Sequence, residues 1–196
     1  MRFIELESDR LCYGKFSEED FPVVVDWLSH AENMKYRLGG PRNEAEVRTY
    51  LDEAIAHANA DDCCHYEYAV RLKTDRSLIG AAVLLNLPDM PEIGWTIHRH
   101  YWRQGYGTEI GKTMLRLGFE KLGLRRIIAG CHAENHGSYK IMEHIGMRRE
   151  AHFVKAQLSS GAPGHACEWC DRFQYALLQE EWEAMKQADM VKGRKI

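Results

Sequence analysis

Trp102-Arg103-Gln104-Gly105-Tyr106-Gly107-Thr108 is the stretch on which the reading of this chain turns. Ahead of it runs an alternating apolar segment, Glu92-Ile93-Gly94-Trp95-Thr96-Ile97-His98, with the period of a strand. Behind it, from Glu109 to Leu122, Ile110, Met114 and Leu117 fall in one helical row and Leu115, Phe119 and Leu122 in the next. Two glycines one residue apart permit a sharp turn and bring backbone N–H groups close to a ligand. A helix that starts there adds its unpaired N–H groups and the positive end of its dipole. The pattern predicts strand, anion-binding loop and helix.

Outward from this centre the elements alternate. Arg10 to Phe16 reads as a first strand, followed by a helical segment from Val23 to Leu28. Two frames compete at that helix start: Ser17 as cap with Asp20 three residues on, or Asp20 as cap with Pro22 in the first turn. Asn43, with Glu46 at the third helical position, caps a second helix to about Ala58. Glu67–Leu72 and Leu78–Leu85 form a hairpin around Lys73–Arg76. Past the central motif, Gly123 ends the helix and Arg126–His132 is a strand. Asn135 precedes a short helix carrying Ile141, Met142 and Ile145, stopped by Gly146. Met147–Leu158 and Glu168–Leu178 bracket the turn-rich tip Ser159–Gly164, and Glu181-Trp182 opens a terminal helix or tail. This order gives a mixed α/β fold of about seven strands, mostly antiparallel. The helical crossover from His98 to Arg126 makes those two strands parallel.

The 196 residues suffice for one domain, 1–196, with a sizeable core. A formal net charge of −3 runs against nucleic-acid binding. No apolar run is long enough to span a bilayer, and the acidic start Met1–Ser8 lacks the apolar core of a signal peptide. A cytoplasmic protein with reduced thiols is expected of the six cysteines. Cys167-x-x-Cys170 has one half of a zinc-ligand spacing but no second pair at similar spacing, so no metal is expected.

The glycine loop admits several readings. A ligand-free turn needs nothing more than the two glycines. A nucleotide P-loop is invited by Gly111-Lys112-Thr113, but its first glycine falls on Tyr106. A dinucleotide fingerprint fails because Ile110 stands where the third glycine belongs.

A further motif lies downstream, Asn135-His-Gly-Ser138-x-x-x-x-Glu143-x-x-Gly146-Met147. With both motifs in order around a helix and a strand, the chain resembles the GNAT superfamily of acyl-CoA-dependent N-acetyltransferases. It looks most like the branch of ribosomal-protein N-terminal acetyltransferases, the RimJ/RimL type. The family loop is Gln/Arg-x-x-Gly-x-Gly/Ala; here Trp102 departs at the first position.

The resemblance implies helices on both faces of the sheet and a central parallel pair that splays. It implies acetyl-CoA as cosubstrate and a primary amine as acceptor, a protein N-terminus or a small molecule, with direct attack in a ternary complex. Arg103, Gln104, Gly105, Tyr106, Gly107 and Thr108 would bind the CoA pyrophosphate, and Trp95, Thr96 and Ile97 the pantetheine arm through their backbone. Asn135 would hold that arm at the mouth of the gap, a role that competes with helix capping. Many relatives place a thiol-protonating tyrosine where this chain has Met142; the RimL-like branch implies Ser138 instead, with Tyr139 as second choice. Glu92 is the implied base, and His98, His132 and Glu134 are alternatives. Met34–Pro41 and Ser159–His165 would wall the acceptor site. A monomer or homodimer is expected. A CoA-binding sensor without transferase activity is the competing reading, motivated by Met142.

Overall fold

The computed structural model describes residues 3–37, 39–60, 65–158 and 168–191. Eight strands form one sheet: β1 (Leu6–Glu7), β2 (Leu11–Gly14), β3 (Tyr66–Leu72), β4 (Leu78–Leu85), β5 (Glu92–Ile97), β6 (Arg126–His132), β7 (Arg148–Leu158) and β8 (Trp169–Leu178). The sheet order is β1-β2-β3-β4-β5-β6-β8-β7. Every pairing is antiparallel except β5–β6. The strand beyond the expected seven is β1, two residues too short to leave a periodicity in the sequence.

Among the described residues six α-helices flank the sheet: α1 (Phe21–Ser29), α2 (Ala31–Met34), α3 (Glu44–Asn59), α4 (Tyr106–Arg116), α5 (His136–His144) and α6 (Gln179–Val191). Two apolar clusters lie on opposite faces. Val24, Trp27 and Leu28 of α1 and Val47, Leu51 and Ala54 of α3 pack on Ala69 and Ala81. Ile110, Met114 and Leu115 of α4 and Met142 of α5 pack on Tyr68, Ala82 and Ile93. The alternation of side chains along each strand sorts Tyr68 from Ala69 and Ala81 from Ala82.

The capping chemistry is as the side chains dictate. Asn43 Oδ1 accepts from Glu46 N at 3.0 Å and Glu46 Oε2 from Asn43 N at 2.8 Å. At α1 both competing frames are used in series. Ser17 precedes a 3-10 turn, Glu18–Asp20, whose last carboxylate accepts from Ser17 N at 2.8 Å. The α-helix then starts at Phe21, so Pro22 falls in its first turn, where no N–H is needed.

The parallel pair positions the site. β5 and β6 meet at a single register pair, Glu92 with Ile128, where Ile128 N donates to Pro91 O at 2.8 Å. Beyond that bridge β5 follows β4 as far as Ile97, while β6 follows β8 as far as His132. The two strands therefore part in the middle of the sheet and leave a gap at their C-terminal ends.

Candidate active site

The gap is floored by backbone. His98 N donates to Ile79 O at 2.8 Å, which makes Ile79 and His98 a hydrogen-bonded antiparallel pair. Such pairs alternate along a ladder. Ala81–Thr96 and Val83–Gly94 are then bonded across β4–β5, and the backbone groups of Ile93, Trp95 and Ile97 face the gap. This corrects the expectation for Thr96. Its backbone is paired with β4, and its hydroxyl instead accepts from Arg37 on the α1–α3 face. Ile97 is also altered, because its carbonyl already accepts from Asn33 Nδ2 at 2.9 Å and Trp102 Nε1 at 2.7 Å. A carbonyl has two lone pairs, so only the Ile97 N–H is left for a ligand. The Trp102 bond also gives the aromatic departure from the family loop a task, fastening the loop to the end of β5.

The loop itself is built from two left-handed residues, Arg103 at φ 59° and Gly105 at φ 81°. The helix α4 starts at Tyr106, three residues earlier than the apolar rows imply, so Gly107 and Thr108 lie in its first turn. Of the two glycines only Gly105 has a positive φ. Gly107 is glycine for another reason: a Cβ there would lie 2.3 Å from Ile141 Cδ1, so its absence lets α4 close on α5. The first N–H groups of α4, at Tyr106, Gly107 and Thr108, have no intrahelical partner and suit an anion.

A clamp absent from the sequence reading holds this loop. Glu109, in the first turn of α4, accepts from Arg10 N, Arg10 Nε and Ser8 Oγ, each at 2.7 Å. Arg10 also donates to Gln104 O at 2.9 Å. Burial pushes the Glu109 carboxyl up, but the bonds from the Arg10 backbone, Ser8 and the Arg10 guanidinium outweigh it and hold the group below the ordinary range. Residues about a hundred positions apart make this contact, so no local pattern records it.

On the other side of the gap stands α5. Asn135 Oδ1 accepts from Ser138 N at 3.1 Å, which is the capping role. The residue also lines the cavity described next, so the cap does not take it away from the gap. The Ser138 hydroxyl contacts the Cys131 thiol, which burial pushes up to about 11 against the pull of that hydroxyl. Tyr139 turns elsewhere, against Phe173 at 5.8 Å and His136 at 5.4 Å between ring centroids.

A cavity of about 300 Å³ runs through the gap. Trp95, Gly130, Cys131, Asn135, Ser138 and Met142 line it near α5. Tyr36, Arg37, Tyr50, Glu67, Thr96 and His132 are among the residues that line the rest. Four expected candidates stand apart from its walls. Glu92 lies at the closed end of the gap with its carboxylate 3.1 Å from Arg172 Nη2. His98 bonds Asp26 at 2.6 Å through Nε2 and accepts from His100 N through Nδ1. Tyr139 and Glu134 are absent from the lining. His132 lines the cavity, but its Nδ1 accepts from Glu134 N at 3.1 Å. The neutral ring then carries its proton on Nε2 and offers a donor, not a base. Glu67, on β3, is an isolated acid in an alternating strand, which in sequence looks like any solvated one.

Part of the expected acceptor wall, Ser159–His165 and Leu38, lies outside the described residues, as does Cys167. Among the described residues no cluster of His, Cys, Asp and Glu suited to a metal ion is present. No helix among them is long and apolar enough to cross a membrane.

Known proteins share this design. Residues 10–148 match the family model described as an acetyltransferase (GNAT) domain. The chain is 33% identical over 181 residues to the uncharacterized N-acetyltransferase YnaD of Bacillus subtilis, covering 91% of this chain and 99% of that one. An acetyltransferase (GNAT family) structure from Bacillus anthracis superposes with a TM-score of 0.78 at 33% identity, over 91% of this chain and 100% of that one. A spermidine N-acetyltransferase from Vibrio cholerae, in complex with CoA and spermine, superposes with a TM-score of 0.74 at 18% identity, over 89% and 99% of the two chains. The splayed strands, the glycine loop on a helix start and these matches agree: the chain belongs to the GNAT family of acetyltransferases.

Proposed function

We propose that this protein transfers an acetyl group from acetyl-CoA to a primary amine by direct attack in a ternary complex. The observation that carries the reading is the β5–β6 pair, bridged once and then open, with the left-handed loop and the α4 N-terminus at its open end. An extended acyl-pantetheine arm fits such an opening because unpaired strand groups at Trp95 and Ile97 suit its amides. The backbone N–H groups from Arg103 to Thr108 suit a pyrophosphate. Asn135 would steady the arm. The same N–H groups that face the gap suit the oxyanion that forms when an amine adds to the thioester carbonyl.

Ser138, lining the gap beside Cys131, is proposed as the hydrogen-bonding partner of the departing thiolate. Glu92 is retained as the base to test first; in that role its carboxylate would exchange its bond to Arg172. The RimJ/RimL-type branch rests on Ser138 and the Trp102 loop, and it leaves both protein N-termini and small amines as acceptors. The sensor alternative rests on Met142 standing where relatives have a tyrosine.

Thermal unfolding with acetyl-CoA and, separately, with ATP tests the ligand. Stabilisation by acetyl-CoA of about 3 kcal/mol at a hundredfold excess over Kd is expected. Stabilisation by ATP alone would return the loop to a nucleotide site.

A further inference from the structure

Resting on the acetyltransferase reading, we propose that Glu67, in place of Glu92, receives the ammonium group of the acceptor and takes its proton, with Tyr50 holding the carboxylate in place. Glu67 is the only carboxylate among the described residues that line the cavity. In register, Glu67 lies opposite Val83, and Val83 opposite Gly94. The three share the sheet face under α3, and Gly94 adjoins the gap. Two strand spacings of about 4.8 Å separate the Glu67 backbone from that of Gly94. A glutamate side chain and a bound amine together span such a distance. Gly94 carries no side chain, so the row is open on the gap side.

The Arg37 guanidinium in the same wall opposes a cation, while the Glu67 carboxylate and the aromatic faces beside it favour one. Tyr36 and Tyr50 place aromatic rings in the same wall, and a cavity of this size admits an unbranched aliphatic amine end. The Tyr50 hydroxyl bonds Glu67 Oε1 at 2.5 Å. Burial pushes the Glu67 carboxyl above the ordinary carboxylate range, against the opposing pull of Tyr50, Arg37, His57 and Arg42. These four groups come from α3 and from the connection between α2 and α3, and they are the charges and dipoles that face it. Burial and the neighbouring Glu67 charge likewise raise the Tyr50 hydroxyl well above its usual value, so it stays protonated and donating. A carboxylate whose affinity for a proton is raised is an efficient acceptor for one at neutral pH.

The step balances without a redox partner. One N–H proton of the ammonium passes to a Glu67 oxygen. The freed lone pair attacks the thioester carbonyl carbon, a C–N bond forms and the C–S bond breaks. The thiolate leaves with that electron pair and is protonated as the nitrogen gives up its second proton. Glu67 returns its own proton to solvent, so ammonium and thioester give amide, thiol and one proton.

The test is the pH profile of kcat and kcat/KM with acetyl-CoA and 1,4-diaminobutane, beside calorimetric binding of acetyl-CoA. Glu67→Gln keeps an acceptor for the Tyr50 hydroxyl. It is expected to lower kcat about 100-fold, to remove the acidic inflection and to leave acetyl-CoA binding unchanged. Formate is expected to restore part of the rate to Glu67→Ala. Glu67→Asp, which retracts the carboxylate by one methylene, is expected to lose less than Glu67→Gln. Wild-type rate and pH profile in Glu67→Gln would overturn the inference, as would an inflection that disappears in Glu92→Gln and persists in Glu67→Gln. Wild-type protein that turns over no amine would instead remove the acetyltransferase reading on which the inference rests.

Discussion

Ser138 and Glu67 face the same cavity from opposite faces of the sheet, and each makes a prediction of its own. Ser138→Ala is expected to lower kcat about 10-fold or more with little change in the KM for acetyl-CoA. Steady-state kinetics in both substrates checks this, and an unchanged kcat would take the thiolate away from Ser138. Glu67 predicts a stability effect. Its carboxyl is raised above the ordinary value of 4.5 in the folded protein, so the folded state holds the proton more tightly than the unfolded chain. The stability this provides is present below pH 4.5 and is lost as pH rises through the folded value. Glu67→Gln is therefore expected to melt higher than wild type at neutral pH, with the difference shrinking in acid. A melting series in pH reads both the sign and the window. Ser138 was legible because it stands at a fixed distance from Asn135 in a motif. Glu67 was not, because its significance comes from burial beside a gap, which no local spacing encodes.

At the scale of elements, the glycine loop is a joint among β2, β5, α4 and α5. Its period, its glycines and its neighbouring strands were readable in order, and β4, β6 and the α3 cap fall where the residues place them. What local sequence does not carry are the contacts that aim it. The Arg10–Glu109 clamp and the Ile141 side chain against Gly107 join segments far apart in the chain. Arg10→Ala is expected to raise the KM for acetyl-CoA several-fold with kcat nearly unchanged, because Arg10 positions Gln104 and Glu109 and is remote from the acceptor side of the gap. Glu109 adds a pH signature of the opposite sign to that of Glu67. Its folded carboxyl lies below 4.5, so its stabilisation is present above that pH and is lost as pH falls through the folded value. Removing this half-buried acceptor in Glu109→Ala is expected to cost about 1–3 kcal/mol at neutral pH, readable by urea denaturation. Gly107→Ala places a methyl group against Ile141 and is expected to cost about 1–3 kcal/mol through overpacking. Gly105→Ala meets only Arg10 Nη2, at 3.4 Å, but must hold a positive φ of 81°, at a cost of about 1 kcal/mol.

At the scale of the molecule, one sheet separates two kinds of chemistry. The face under α4 and α5 carries the loop, Asn135 and Ser138 and suits the donor. The face under α1 to α3 carries Tyr36, Tyr50 and Glu67 and suits a cationic acceptor. The open β5–β6 pair is where the two sides meet. The mixed sheet and its single parallel crossover were legible from element order, whereas strand order alone does not say that a parallel pair bridges once and parts. The most direct test of the account is thiol release from acetyl-CoA by the wild-type protein with a panel of primary amines. The account predicts release that depends on the amine and saturates with it. Tight acetyl-CoA binding with no amine-dependent release from any member of the panel would contradict it and leave a CoA-binding sensor on the same fold.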